Sequence, residues 1–411
     1  MKTILIVGSG WEPLRRYILE RIAARYRVVL LNHGPITWQA QLIVDGIETD
    51  LTTWETVLAA ARGAAGRHEI GGVLTWDETR LELSARLAAA LGLAHLPVGA
   101  ARACRDKGVQ RAAFARDGVP SPRFAQAATI EESLHAGEAI GFPLVVKPRA
   151  LAGSVGVRIA RDRSELLDAA REGIEAQYPG YPAGRGVLLE EFLEGPEISV
   201  DSWVFDGHVE PVNLAHKTLG FAPWFEEVEH LVPPSVADVP WDAVVDAVRR
   251  AHASLGIDRI VSHTELRLTA CGPKIVELNG RLGGDMIPYL GLLAGGADLP
   301  LAAADAAMGV RPDVTHRGGR AAAIRFVYPP HDMVLTEYRV DSSVARLPYV
   351  DRIAQVYGVG DTLRLPPGGF MSRVAFAIVT GVDAGECSAR LDTAVSGIKF
   401  NGSPLEQLAW R

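Results

Sequence analysis

The stretch KIVELNGRLGGD (Lys274–Asp285) interrupts an apolar run with Glu277, places Asn279 two residues later and Arg281 just beyond. Residues two apart on a strand share a face, so the carboxylate and the amide point the same way. Upstream, VSHTELRLTA brings His263, Glu265 and Arg267 with the same alternation, and Cys271-Gly272-Pro273 supplies a turn between the two runs. A hairpin symmetric about Cys271 sets Glu265 opposite Glu277, His263 opposite Asn279 and Arg267 opposite Ile275. Leu266, Leu268, Val276 and Leu278 then face a core. Carboxylates directly across a strand pair have Cβ atoms about 5 Å apart and repel. A divalent cation held by Glu265, Glu277 and Asn279 removes that repulsion, and the all-oxygen donor set describes magnesium, not zinc. A salt-bridge cluster with Arg267 and Arg281 is the competing account.

Two further stretches carry groups suited to phosphates. FPLVVKP (Phe142–Pro148) reads as a strand and ALAGSVGVRIA (Ala150–Ala160) as a glycine-rich turn into another, so the loop is a hairpin flap and not a Walker loop. Gly153, Ser154 and Gly156 can offer backbone N–H and hydroxyl donors to phosphate oxygens, with Lys147 just before them. A turn that binds nothing is the alternative. In VLLEEFLEGPE (Val187–Glu197) a strand breaks at Gly195-Pro196, exposing backbone groups that could meet an adenine edge, with Glu197 placed for ribose hydroxyls. A solvated acidic turn would look the same.

Those residues need a scaffold, and the order of elements suggests one. TILIVGSG, PLRRYILERIAARY, RVVLLNHG, TWETVLAAARGAA and GGVLTWDE alternate strand and helix, predicting a small parallel α/β sheet over roughly the first hundred residues. Gly8-Ser9-Gly10 lacks the third glycine of a dinucleotide fingerprint, since Pro13 stands there, and reads as a tight turn. At 411 residues and a formal charge of -7, the chain should hold two or three domains and is no nucleic-acid binder, which would need clustered Lys and Arg. No apolar run reaches spanning length, and the opening MKTILIVGSGWEP is too short for a signal peptide, so a cytoplasmic protein without a membrane partner is expected. The three cysteines are far apart and suggest neither disulfides nor zinc.

In their order and spacing, Lys107, Lys147, AGSVGV, EEFLEGPE and the TEL…VELNGR carboxylates resemble the ATP-grasp superfamily. RAAAIRFVYPP and TLRLPPGGFMSRVAFAIVTG resemble the extra C-terminal domain of bacterial L-amino acid ligases. The resemblance implies an α/β protein of ATP-grasp architecture. Its parts would be a Rossmann-like N-terminal domain (1–100), an ATP-grasp domain (101–310, with clasping subdomains about 120–195 and 196–310) and a C-terminal α+β domain (311–411). It also implies an enzyme that joins a small-molecule carboxylate to an amine through an acyl phosphate, using ATP and two magnesium ions, for which manganese could substitute. Homodimerisation is compatible with this class. Lys107 and Lys147 would hold phosphates beneath the flap, Glu190, Phe192 and Leu193 would read adenine, and Arg281 would stabilise the transferred phosphoryl group. A bicarbonate-activating carboxylase and a silent ATP-binding regulator are the alternatives.

For the substrates, NLAHKTLGFAPWFEEVEHLVPP (Asn213–Pro234) looks too irregular for core and brings Lys217 towards a cleft. The Gly283-Gly284 turn could receive a carboxylate, and Asp285 could meet a positive substrate group or cap the helix that follows. His263 is either a proton acceptor or the support of a neighbouring carboxylate.

Overall fold

A computed structural model describes residues 2–178, 185–315 and 317–405. The N-terminal strands Thr3–Val7, Arg27–Asn32, Asp45–Glu48 and Ile70–Leu74 form the expected parallel sheet, with Thr3–Val7 between Arg27–Asn32 and Ile70–Leu74. Every residue of Thr3–Val7 is buried, as in a strand covered on both faces by helices. Loops at the carboxyl ends of its strands, Gly8–Gly10 and Thr75–Glu78, face the rest of the molecule. In α/β sheets that end is where ligands bind.

A second sheet, wholly antiparallel, runs Phe124–Ala127, Val187–Glu191, Leu144–Pro148, Arg158–Ala160. Helices Ile130–Ile140 and Arg163–Glu175 pack on it around Leu144, Val146, Leu166 and Leu189. The loop between Leu144–Pro148 and Arg158–Ala160 is the glycine flap, with Gly153, Ser154 and Gly156 all at positive φ.

The largest sheet has eight strands in the order Gly272–Asn279, Ile260–Thr269, Glu197–Phe205, His208–Gly220, Glu226–Val232, Ala321–Val327, Ala375–Gly381, Val350–Gln355. It runs without a break across the division expected at residue 310, because Glu226–Val232 pairs with Ala321–Val327. The segment expected to be an irregular loop is here a hairpin, His208–Gly220 against Glu226–Val232, with one register shift between Thr218 and Leu219. Several of its polar residues are buried, Lys217 among charged partners. Lys217, with a side chain 1% exposed, lies 2.7 Å from Glu227, 3.1 Å from Glu197 and 3.3 Å from Glu265. Among the described residues no single helix is long and apolar enough to cross a membrane.

Candidate active site

The acidic hairpin pairs as expected at its open end, His263 with Asn279 and Glu265 with Glu277. One step further a bulge shifts the register, so Leu266 meets Ile275 and Arg267 meets Lys274, not Ile275. A bulge reverses which face later residues occupy. Ile275 is therefore fully buried while Val276, expected in the core, lines a cavity with Glu277. That cavity lies between the two antiparallel sheets. Its lining brings together Lys147, Gly153 and Ser154, then Phe192, Leu193 and Glu197, and also Lys107, Glu265, Glu277, Asn279 and Arg281.

Each charged group there is already held. Lys107, first residue of helix Lys107–Arg116, reaches Leu151 O at 2.8 Å and Glu277 Oε1 at 2.9 Å, tying the flap to the acidic hairpin. Glu190 is buried between Arg111 and Lys147, 2.5 Å from the lysine. Burial alone would raise its pKa, but the two cations outweigh burial and hold it below the usual range. Its carboxylate therefore serves the Lys147 ammonium first. Arg267 closes on Glu197 at 2.9 Å and stacks over the Phe192 ring. Gly156 does not line the cavity; a Cβ there would strike Pro148 and Ala176, so this glycine lets the flap fold back on its own sheet.

The donor set fits a hard divalent cation. The Asn279 amide has one terminal atom 3.2 Å from both Glu277 Oε1 and Glu78 Oε2. With its oxygen there, three oxygen acceptors face one another without a hydrogen between them. With its nitrogen there, the amide takes the place of a cation by donating to both carboxylates. Glu265 faces Glu277 across the strand pair, completing an all-oxygen group.

A second cavity opens where the first ends. Gly153, Ser154, Glu227, Glu265 and Arg281 line both. Its walls come from three regions of the chain: Gly10, Arg15, Trp76, Asp77 and Glu78 from the N-terminal sheet, Glu226, His263, Gly284 and Asp285 from the middle, Met371 and Arg373 from the C-terminal part. Glu78 was not anticipated. It is 7% exposed, 2.5 Å from Arg281 and 2.9 Å from Arg105. Burial would raise its pKa, but the two arginines hold it below normal. The signal that could have found it is its place in WDETR, just past the carboxyl end of a parallel strand.

Two residues expected at the substrate do something else. Lys217 lines neither cavity; it joins three carboxylates, whose charges outweigh burial and hold its pKa well above normal. Gly283 faces no cavity, because a Cβ there would lie 2.9 Å from His263 Nδ1 and 3.0 Å from Asp201 Oδ1. Gly284 does line the second cavity, with open space beside it. Asp285 is no helix cap: the helix Ile287–Gly295 starts behind Met286, which makes no side-chain cap. Its carboxylate takes Arg373 Nη1 and Nη2 at 2.6 and 2.7 Å and contacts His230 Nε2 at 3.2 Å. His263 Nδ1 lies 2.7 Å from Asp201 and Nε2 3.6 Å from Glu265. Burial pulls its pKa down, but these carboxylates outweigh burial and push it up to about 9. A proton held there keeps the imidazolium between the two acids.

The chain matches the ATP-grasp domain family over residues 140–289 and the L-amino acid ligase C-terminal domain 2 family over residues 325–401. The central segment is thus similar to ATP-grasp domains. It is 26% identical to uncharacterized protein y4rH of Sinorhizobium fredii, over 99% of this chain and 84% of that protein. With human carnosine synthase 1 it shares 29% over 77% of this chain but 41% of the relative, and with alanine–anticapsin ligase of Bacillus subtilis 29% over 57% and 54%. It thus spans about half the length of those two ligases. A crystal structure of L-amino acid ligase from Bacillus licheniformis superposes with a TM-score of 0.84 at 23% identity, covering 98% of this chain and 99% of that one. Phosphoribosylglycinamide synthetase from Anaerococcus prevotii gives 0.73 at 20%, over 98% and 100%. These likenesses establish the ATP-grasp fold. The matched central segment carries the flap, Glu190, Glu197 and the acidic hairpin, whereas Lys107, Glu78 and Arg373 lie outside it.

Proposed function

We propose that this protein is an ATP-dependent carboxylate–amine ligase that forms an amide between a small carboxylic acid, such as an amino acid, and an amine. One observation carries the reading: a cleft lined by Lys107, Lys147 and the flap adjoins a second charged cavity, and Arg281, Glu265 and the flap belong to both. The L-amino acid ligase C-terminal domain favours amide synthesis over a carboxylase on the same fold.

ATP would lie with adenine between Phe192 and Leu193, ribose at Glu197 and phosphates near Lys107, Lys147 and the Gly153–Ser154 turn. Glu265, Glu277 and Asn279 would hold two magnesium ions, and manganese would suit the same oxygens. The metal would supply charge neutralisation at the phosphates. The acid substrate's carboxylate oxygen attacks the γ phosphorus, the bond to the β-bridging oxygen breaks, and ADP leaves. Arg281, at the junction, faces the charge that develops on the transferred group. The amine nitrogen then attacks the acyl carbon, loses a proton, and phosphate departs. The flap keeps water from the anhydride. His263, held between Asp201 and Glu265, would position Glu265, and the amine's proton would leave with the phosphate.

A panel of acids tested with ATP, magnesium and hydroxylamine checks the scheme. Hydroxamate should form with one ADP and one phosphate per turnover. AMP and pyrophosphate as products would refute the acyl-phosphate route.

A further inference from the structure

The Gly8-Ser9-Gly10 turn leads into helix Glu12–Ala23. Arg15, in the first turns of helix Glu12–Ala23, lines the second cavity. Its Nη1 is buried and has no hydrogen-bond partner among the described residues. The backbone makes room for it: Gly10 has φ +71, and a Cβ there would sit 3.0 Å from Arg15 Cγ. On the other side Trp76 is fixed by its indole N–H to Ser9 O at 3.1 Å. Arg281 is engaged with Glu78 and Arg373 with Asp285; Arg80 also has a buried unpartnered Nε, but its Nη1 is tied to Leu51 O at 2.8 Å. A buried guanidinium donor left unpaired is costly, and a planar carboxylate is the group that matches its fork.

We propose that Arg15 receives the free carboxylate of the amine-donating substrate, which is therefore an amino acid, so that the product ends in a carboxylate. The inference rests on the ligase reading. Arg281 lines both cavities and stands where a carboxylate would be phosphorylated; Arg15 lines only the second, so the carboxylate it binds is one that does not react. A second carboxylate on the acid substrate would offer the same chemistry, and the experiment separates the two.

The acid that gives most hydroxamate is paired with the standard amino acids and, in parallel, with their carboxamides. Wild-type protein should prefer the free amino acids. Arg15→Gln should raise the KM for the amino acid on the order of 100-fold while leaving the carboxamide KM and the hydroxamate rate within about 2-fold. Arg15→Lys, which keeps the charge but not the fork, should fall between. If wild-type protein forms no hydroxamate with any acid, the ligase reading itself has failed. If hydroxamate forms and Arg15→Gln slows it as much as it slows amide synthesis, the anion belongs to the acid substrate and the proposal is wrong. An unchanged preference for amino acid over carboxamide in Arg15→Gln, or no preference in wild-type protein, also overturns it.

Discussion

Carboxylates in this site differ in what their removal strands, and they should respond differently to substitution. Glu190 is buried among Arg111 and Lys147, so Glu190→Gln strands two buried cations. Removing one partner of a buried pair costs roughly 3–5 kcal/mol, and urea unfolding should show a loss of that size. Glu277 is different. It faces Glu265 across the strands and has Lys107 as its cation, while Lys107 keeps a second partner in Leu151 O. Glu277→Ala should leave the unfolding midpoint nearly unchanged but slow ADP release by about 100-fold or more, the scale of one lost electrostatic contact in a transition state. Near-normal turnover by Glu277→Ala in magnesium would dismiss the acidic hairpin as the metal site.

At the level of elements, the sequence was most legible where alternation was strict. The parallel strands, the flap hairpin and the open end of the acidic hairpin all follow from period-two patterning. The bulge beside Glu277 was not legible, because an added residue breaks the alternation on which register is inferred, and it alone moves Val276 from core to cavity. Lys217 was misplaced for a related reason: a lysine on a strand reads as exposed unless its three acidic partners, drawn from distant segments, are known. The flap offers a test at this scale. Gly153 has φ +65, and a Cβ would touch Met371 Cε at 2.7 Å. A methionine end can swing aside, so the backbone conformation should decide the outcome. Gly153→Ala should disfavour the closed flap by roughly 1 kcal/mol, raising the KM for ATP several-fold. Adding Met371→Ala should not restore it. Full rescue by the second substitution would show that the steric contact, not the dihedral, dominates.

Over the whole molecule, the second cavity draws its walls from residues far apart in the chain, and Asp285 with Arg373 is the clasp that joins two of them. Motif order could not reveal this, since the SRVAF segment holding Arg373 carries no chemical signature of its own; Asp285 read equally well as a helix cap. Both groups stand against the cavity, with His230 fully buried behind them. Burial would raise the Asp285 pKa, but the Arg373 charge and the His230 contact outweigh it and hold the carboxylate well below its usual range. Burial would lower the His230 pKa, yet Asp285 and Glu227 raise it above normal. The signs then set a window. Asp285, depressed on folding, contributes stability above its unfolded value of about 4 and loses it as pH falls through the lower folded value. His230, raised on folding, contributes below its unfolded value of about 6.5 and loses it as pH rises through the higher folded value. Asn tolerates the φ of +49 at position 285, so Asp285→Asn removes the charge without adding backbone strain. Urea unfolding at pH 5–6 should find the variant weaker by roughly 3–5 kcal/mol, the cost of stranding a buried cation. The gap between wild type and variant should narrow both below pH 4 and above neutrality. A gap that stays constant from pH 3 to 9 would mean that Asp285 acts through shape alone, and the clasp would lose its electrostatic basis.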